Sequence, residues 1–473
     1  MIGERAIDVV RVSFGDVHGI LRGKTLTARA FESVLRNGVD CSTGPYFFDT
    51  GLDVVGELFE AGAGHGLDEL TGAADFVLVP DPTTFRVLPW TDGTTGWVLA
   101  DEYFKSGRPV PLSGRHLLKR LIGELSARNL ALVAGIEIEW YLTRVIDPVL
   151  SVDAVGRFGR PGKPPIVAPV NIGYQFNSEL YGDQLDPLLH KLRTTLEALE
   201  LPLRTTEHES GPGQLEFTFD PQNALESADG VLLFRSAVKQ VCARSGYHAS
   251  FMCRPGLQGF DASGWHLHQS LFTDNGENAF MSSQPEQIVS DLARAYAGGL
   301  VEHAGAASVL TTPTINGYAR ASADYVLAPD RACWSVDNRG TYIRVLGEPG
   351  DPATHLENRA GEPAANPYLY LASQLIAGLD GVDRQLDPGP LRIDPHTDDA
   401  PALPSSLSEA VAALKADHVF RDRAGDVLID YLVRIKENEL GRYQAALAEV
   451  GPTAEVGCEG VSDWEQREYF RMF

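Results

Sequence analysis

The chain has 473 residues, 44% hydrophobic and 22% charged, a globular composition that excludes wholesale disorder and is too long for one ordinary core. Forty Lys and Arg against 64 Asp and Glu leave a formal charge of −24. That field repels nucleic acid and anionic membranes, and no basic cluster offsets it, so neither is an expected partner.

Five cysteines (Cys41, Cys242, Cys253, Cys333 and Cys458) are scattered, with no C-x-x-C pair. This predicts free thiols in a reducing compartment rather than a disulfide framework or a zinc site. The first residues lack an uninterrupted apolar core and no apolar run long enough to span a bilayer follows. A soluble, cytoplasmic protein is expected.

In chain order, Ile7–Phe14 and Ile20–Leu26 flank Asp16-Val-His-Gly19, a hairpin turn whose glycine can take positive φ. Asp75–Val79 and Gly96–Ala100 are further short strands, so the first hundred residues read as β-rich. Ser113 caps a helix with Leu117, Leu118, Leu121, Ile122 and Leu125 on its apolar face. The polar, proline-bearing stretch before it sets a domain boundary, giving units 1–107 and 108–473. Strands and helices then mix. Residues 155–170 and 387–405 are Gly/Pro loops, Asn366-Pro367 starts a helix, and Ser405 to Val450 is helical by period.

Four strand-like segments repeat one rhythm, ionic or polar side chains two residues apart, mostly with apolar residues between them. They contain Glu137 and Glu139, Glu216 and Thr218, His266 and His268, and Glu357 and Arg359. In a strand such pairs share one face, about 6.6 Å apart. One such pair is most simply the exposed face of an edge strand. Four together predict a sheet whose polar face lines a charged cavity. Converging glutamates raise one another's pKa unless cations neutralise them, and an oxygen-rich set with histidine suits Mg²⁺ or Mn²⁺. Glu209 can return to this site through Ser-Gly-Pro-Gly.

Arg320, Arg339, Arg344 and Arg359 lie within forty residues. Any one alone is most simply a surface ion-pair partner. Together with divalent metals, planar guanidinium forks are the recurrent equipment of phosphoryl transfer, although no P-loop or kinase glycine-rich motif is present.

These segments resemble the glutamine synthetases and their γ-glutamyl-amine ligase relatives. The resemblance runs from Phe14–Lys24 through Gly135–Glu139, Glu209–Glu216, Ala262–Ser270 and Asp337–Arg344 to Glu357–Tyr368. It implies an α+β glutamine synthetase fold, with an N-terminal β-grasp domain and a large catalytic domain on a curved antiparallel sheet. It also implies a homo-oligomer, a dodecamer of two six-subunit rings with active sites at subunit junctions.

Carried over by motif, Glu139, Glu209 and Glu216 would hold one Mg²⁺ or Mn²⁺, and Glu137, His266 and Glu357 another. Arg320 and Arg359 would hold glutamate, Arg359 also lying near the transferring phosphate, with Asp261, Ala262 and Tyr174 also in the substrate site. Arg339 and Arg344 would face the phosphates of ATP, with His268 and Ser270 beside the nucleotide. Arg359, Arg339 and Glu209 would be the catalytic residues, and a γ-glutamyl phosphate would then be attacked by an amine.

Two departures bear on the amine. Ammonia-using members carry a glutamate before the Ala-Pro of an active-site flap, where this chain has Leu327. Their N-terminal ammonium-binding aspartate has no clean counterpart in Cys41–Thr50. Tyr46, Phe47, Phe48 and Leu327 offer apolar surface instead, which suits an apolar or aromatic amine. Three readings stay open: that ligase, a glutamine synthetase whose ammonium site is rebuilt by Asp49 or Asp330, and a silent ring-forming scaffold. Asp261-Ala262 stands where the family has Asn-Gly, and His355 where it has an arginine near the nucleotide. The tyrosine used by some members for adenylylation is absent from Ala400–Pro404, so no such regulation is expected.

Overall fold

The computed structural model describes residues 7–321, 326–397, 399–450 and 460–473; Cys458 and residues 1–6 lie outside these. The N-terminal sheet contains β1 (Val9–Gly15), β2 (Leu21–Thr27), β3 (Val39–Ser42), β4 (Asp75–Pro80), β5 (Arg86–Val87) and β6 (Thr95–Tyr103). Its order is β2-β1-β6-β4-β3, with β5 also on β6. The first and last strands pair in parallel at its centre and their neighbours are antiparallel, which is the expected β-grasp arrangement.

Pattern reading overlooked helix α1 (Ala28–Asn37) in this domain. Its signals are local: Thr27 accepts the Ala30 N–H as N-cap, Phe31 and Val34 are buried, and Gly38 at φ +69° ends it.

The second sheet contains β7 (Leu130–Asp147), β8 (Ile166–Pro169), β9 (Leu203–His208), β10 (Gln214–Asn223), β11 (Tyr247–Ser250) and β12 (Trp265–Thr273). It is completed by β13 (Trp334–Val336), β14 (Ile343–Leu346) and β15 (His355–Gly361). The order is β13-β14-β15-β12-β7-β10-β9, with β8 and β11 along the far end of β7. All pairings are antiparallel except β13–β14, a small correction to an all-antiparallel sheet. Residues 155–170 are likewise not wholly loop, because Ile166–Pro169 pairs with β7.

Helices α2 (Gly114–Ser126), α3 (Glu179–Ala198) and α4 (Ala224–Arg244) are followed by α5 (Asp291–Glu302), α6 (Ala304–Thr311) and α7 (Pro367–Arg384). The C-terminal helices are α8 (Leu407–Ala416), α9 (His418–Ala424), α10 (Asp426–Val450) and α11 (Asp463–Tyr469). Ser113 caps α2 through the His116 N–H, and Asn366 caps α7 through Tyr368 and Leu369. The predicted C-terminal helical stretch breaks at Asp417 and Gly425.

The apolar backs of the site strands (Ile136, Ile138, Trp140, Leu215, Phe217, Trp265, Leu267 and Leu356) are buried in a core continuous with the N-terminal domain. The β1–β2 turn joins that seam. Gly19 sits at φ +72°, where a Cβ would come within 3.1 Å of Asn366, and Asn366 donates to the Asp16 and Val17 carbonyls.

Candidate active site

Strands β15, β12, β7 and β10 are consecutive neighbours, so the four polar pairs form one patch. The register places Glu137 between His266 on β12 and Thr218 on β10, and Glu139 opposite Glu216. Glu357 lies opposite Arg344 on one side and His268 on the other. Alternation along each strand sends the ionic groups to the cavity and the hydrophobic ones to the core.

Glu137 is the centre of the patch. Its Oε1 is 3.3 Å from His266 Nδ1, and its Oε2 accepts from His268 Nε2 at 2.9 Å. Glu357 accepts from Arg359 Nη1 at 2.5 Å and Arg344 Nη1 at 3.0 Å. Glu139 accepts from Gln214 Nε2 at 2.9 Å, an amide that also reaches Ser263. That bracing role of Gln214 was missed from sequence, although it lies inside a motif.

Glu209 follows β9, and its N–H donates to the Gln214 carbonyl across a turn in which Gly213 takes φ +73°. The turn returns it to the electrostatic field of Glu137 and Glu139.

Crowding sets the protonation of the patch. Burial, then repulsion from Glu137, Glu139 and Glu209, pushes Glu216 up to about 11. Burial raises Glu139 to about 8 and Glu209 to about 7. Burial opposes ionisation of Glu137 too, but its hydrogen bonds to both histidines hold it well below the usual carboxylate range. Burial and the Arg359 charge lower His266 to about 4. Arg320 Nη2 donates to His266 Nε2 at 3.2 Å, so the ring proton sits on Nδ1, facing Glu137.

Among the described residues, two groups of donors lie close enough for one cation each, with ligand atoms within 4.8 Å: Glu137, Glu216 and His266, and Glu137, His268 and Glu357. These sets differ from the carried-over grouping: Glu137 belongs to both, His268 joins Glu357, and Glu139 and Glu209 fall in neither. Carboxylates that repel one another beside imidazole fit Mg²⁺ or Mn²⁺ and explain why several hold protons without one.

Beside the patch opens a cavity of about 370 Å³, lined by Gly135, Phe219, Phe272 and Pro352, with Glu137, His268, Ser270 and His355 on its polar side. Phe219, Phe272 and the rim residue Arg204 carried no pattern visible in sequence. His268 Nδ1 faces His355 Nε2 at 3.0 Å, and Ser270 Oγ donates to the Thr354 carbonyl at 3.0 Å. The Arg339 side chain is exposed and makes no hydrogen bond among the described residues, while its carbonyl accepts from Arg359 Nε. Arg344 also forks onto Asp337.

The expected glutamate residues sit differently. Arg320 is buried and donates through Nη1 to the Arg359 and Gly361 carbonyls, and its Nε has no partner among the described residues. Asp261 and Ala262 are fixed by backbone contacts, Asp261 to the Tyr141 hydroxyl and Ala262 to Gln214. Tyr174 is exposed at φ +59°, with its hydroxyl on the Gly259 carbonyl.

The amine-pocket aromatics need correction. Phe47 is fully buried against His65 and Tyr46 against Phe14 and Phe76, so both belong to the N-terminal core. Phe48 alone is half-buried, against Phe158. Asp49 is fully buried: its carboxylate accepts from Arg442 Nε at 2.7 Å, from Asn438, and from the Gly51 and Asp53 N–H groups. Asp330 is paired with His396 at 2.6 Å. Leu327 is partly exposed beside it.

Residues 111–452 match the family described as glutamine synthetase, catalytic domain. Over 477 residues the chain is 44% identical to a γ-glutamylanilide synthase of Acinetobacter sp, covering all of this chain and 94% of that one. It is 30% identical to a glutamine synthetase of Halobacterium salinarum, covering 100% and 95%. A solved GmaS–ADP complex superposes with a TM-score of 0.79 at 28% identity, covering 95% of this chain and 96% of that one.

Proposed function

The chain belongs to the glutamine synthetase family of ATP-dependent carbon–nitrogen ligases, and we propose that its acyl acceptor is an apolar or aromatic amine joined to the γ-carboxyl of glutamate. The observation that carries this is the loss of anionic groups for ammonium. Asp49 is buried on Arg442, Asp330 is tied to His396, and position 327 is leucine. An aromatic amine is neutral near pH 7 and needs no cation cage. The 44% identity to a γ-glutamylanilide synthase supports the same choice.

Within this proposal Glu137, Glu216, His266 and Glu357 hold the metals, with His268 an additional donor suggested by geometry, and Glu139 and Glu209 join them by motif. Bound Mg²⁺ or Mn²⁺ would neutralise the carboxylates and the charge on a transferring phosphoryl group. Arg339, without a side-chain partner among the described residues, and Arg359 and Arg344, oriented by Glu357, meet the phosphates. His268 and Ser270 border the nucleotide cavity. Arg320, Asp261, Ala262 and Tyr174 form the glutamate side, and Leu327 and Phe48 the amine side. For an alkylamine, which needs deprotonation, Glu209 is the carboxylate that would accept the proton.

We divide the chain at 107/108, between β6 and α2. A homo-oligomer, a dodecamer of two six-subunit rings, belongs to the same proposal. Large apolar side chains concentrate on the surface between Ile146 and Leu180, among them Val149, Val152, Val155, Phe158 and Ile172, which supports their burial between subunits. No helix among the described residues is long and apolar enough to cross a membrane, and Cys41, Cys242, Cys253 and Cys333 are unpaired, which supports a cytoplasmic location.

The test is phosphate release with ATP, Mg²⁺ and glutamate while the acceptor runs through ammonia, ethylamine, a polyamine and aniline. Fastest turnover with aniline is expected. Best turnover with ammonia overturns the acceptor proposal, and silence with every amine favours a scaffold.

A further inference from the structure

The Gly/Pro-rich loop over residues 387–404 has no part in the site as described, yet it is bonded along the segment that carries Leu327. The Trp334 indole N–H donates to the Gly389 carbonyl at 2.8 Å, and the Arg392 N–H to the Trp334 carbonyl at 3.1 Å. Asn338 donates to the Ile393 carbonyl at 2.9 Å, the Ala332 N–H to Pro401, and the Leu403 N–H to Asp330.

One side chain closes this brace. His396 Nδ1 is 2.6 Å from the Asp330 carboxylate, and its Nε2 is 2.9 Å from the Val326 carbonyl. A carbonyl and an ionised carboxylate can only accept, so both ring nitrogens donate and the ring is an imidazolium. A single cation thereby ties both ends of Val326–Asp330. Between those ends, Ala328 and Pro329 are buried and wall a cavity of about 40 Å³ beside Arg320, with Leu403 and Pro404 opposite.

We propose that His396 is a positioning residue for amide synthesis, holding Val326–Asp330 over the Arg320 side of the site so that amine rather than water meets the activated carboxyl. This rests on the ligase function proposed above. Water attacking γ-glutamyl phosphate returns glutamate and inorganic phosphate, so a loosened segment spends ATP without forming amide. The contacts are charge-assisted and come from two directions, which makes them stronger than neutral loop hydrogen bonds.

The test compares wild type with His396→Ala and His396→Gln. With aniline as acceptor, phosphate released per amide formed should rise about fivefold or more in His396→Ala, with a higher KM for the amine and an unchanged KM for ATP. His396→Gln, which can still donate to one of the two acceptors, should fall between, and it carries the test if the alanine variant does not fold. A wild-type ratio and wild-type amine KM in the folded variants overturn the proposal. Hydrogen exchange supplies a readout that needs no amide product. The backbone amides of Ala332 and Leu403, which donate across this brace to the Pro401 and Asp330 carbonyls, should exchange about tenfold faster in His396→Ala, and equal rates overturn the latch even if the acceptor proves to be ammonia.

Discussion

Arg442 on α10 donates to the fully buried carboxylate of Asp49 at 2.7 Å, joining residues 393 apart in sequence. The same guanidinium reaches Glu468, and although burial opposes its charge, these two acids hold the Arg442 pKa above its ordinary value. Asp49 is therefore a structural anion, unavailable to a substrate cation.

Removing one partner of this pair should be costly, because the other charge is left buried. Arg442→Met is expected to lose about 3–5 kcal/mol in chemical denaturation. Asp49→Asn should lose less and leave the ratio of aniline to ammonia turnover unchanged; a shift toward either amine would place Asp49 in the acceptor site.

Leu327→Glu returns an anion to the segment held by His396. It should raise kcat/KM for ammonia relative to aniline by about tenfold, or 1.4 kcal/mol of differential transition-state binding. An unchanged ratio would dissociate this position from acceptor choice.

Glu137 touches both histidines and belongs to both candidate cation groups. Glu137→Gln should weaken Mn²⁺ binding, followed by paramagnetic resonance, and cut kcat by about 100-fold or more. Chelation of the wild type should silence it reversibly on return of Mg²⁺. Activity that survives chelation would remove the metals from the proposal.

A Cβ on Gly264 would lie 2.4 Å from Arg320 Nη2 and 2.8 Å from its Cζ. Gly264→Ala should displace that guanidinium from the Arg359 and Gly361 carbonyls. The expected outcome is a glutamate KM raised about tenfold, with ATP affinity retained. Equal losses for both substrates would mean that Arg320 is only a strut.

His303 gives a pH-dependent contribution outside the site. Its Nδ1 is 2.7 Å from Asp417 and its Nε2 2.8 Å from Asp380, and although burial opposes the charge, these contacts raise its pKa above 6.5. The folded state therefore binds the proton more tightly than the unfolded chain. The stabilisation is full below about pH 6.5, the unfolded value, and is lost as pH rises through the folded one. The Tm gap between wild type and His303→Gln should narrow as pH rises across that window; a gap that widens would contradict the sign.

Much of the site is written locally. The two-residue alternation of Glu137 with Glu139 and of His266 with His268 is enough to put each pair on one face of a strand. Ser113 and Asn366 announce their helices through caps that involve neighbours only. Short-range steric and hydrogen-bonding rules suffice for these, and they identify the polar-faced sheet, the glycine turn at Gly19 and the start of α7.

Tertiary structure alone decides which polar groups remain free. Phe47 resembles a pocket aromatic in sequence but is consumed by the core with His65, and Asp49 resembles a replacement ligand but is consumed by Arg442. His396 and Asp330 meet across 66 residues, and His268 and His355 across 87. The charge of −24 likewise says nothing about whether a given acid is ion-paired, protonated or ready for metal. Local sequence sets which face a side chain takes, because that follows from backbone geometry. Whether the group is available there depends on what distant chain packs against it, since burial and partner charges set its energy.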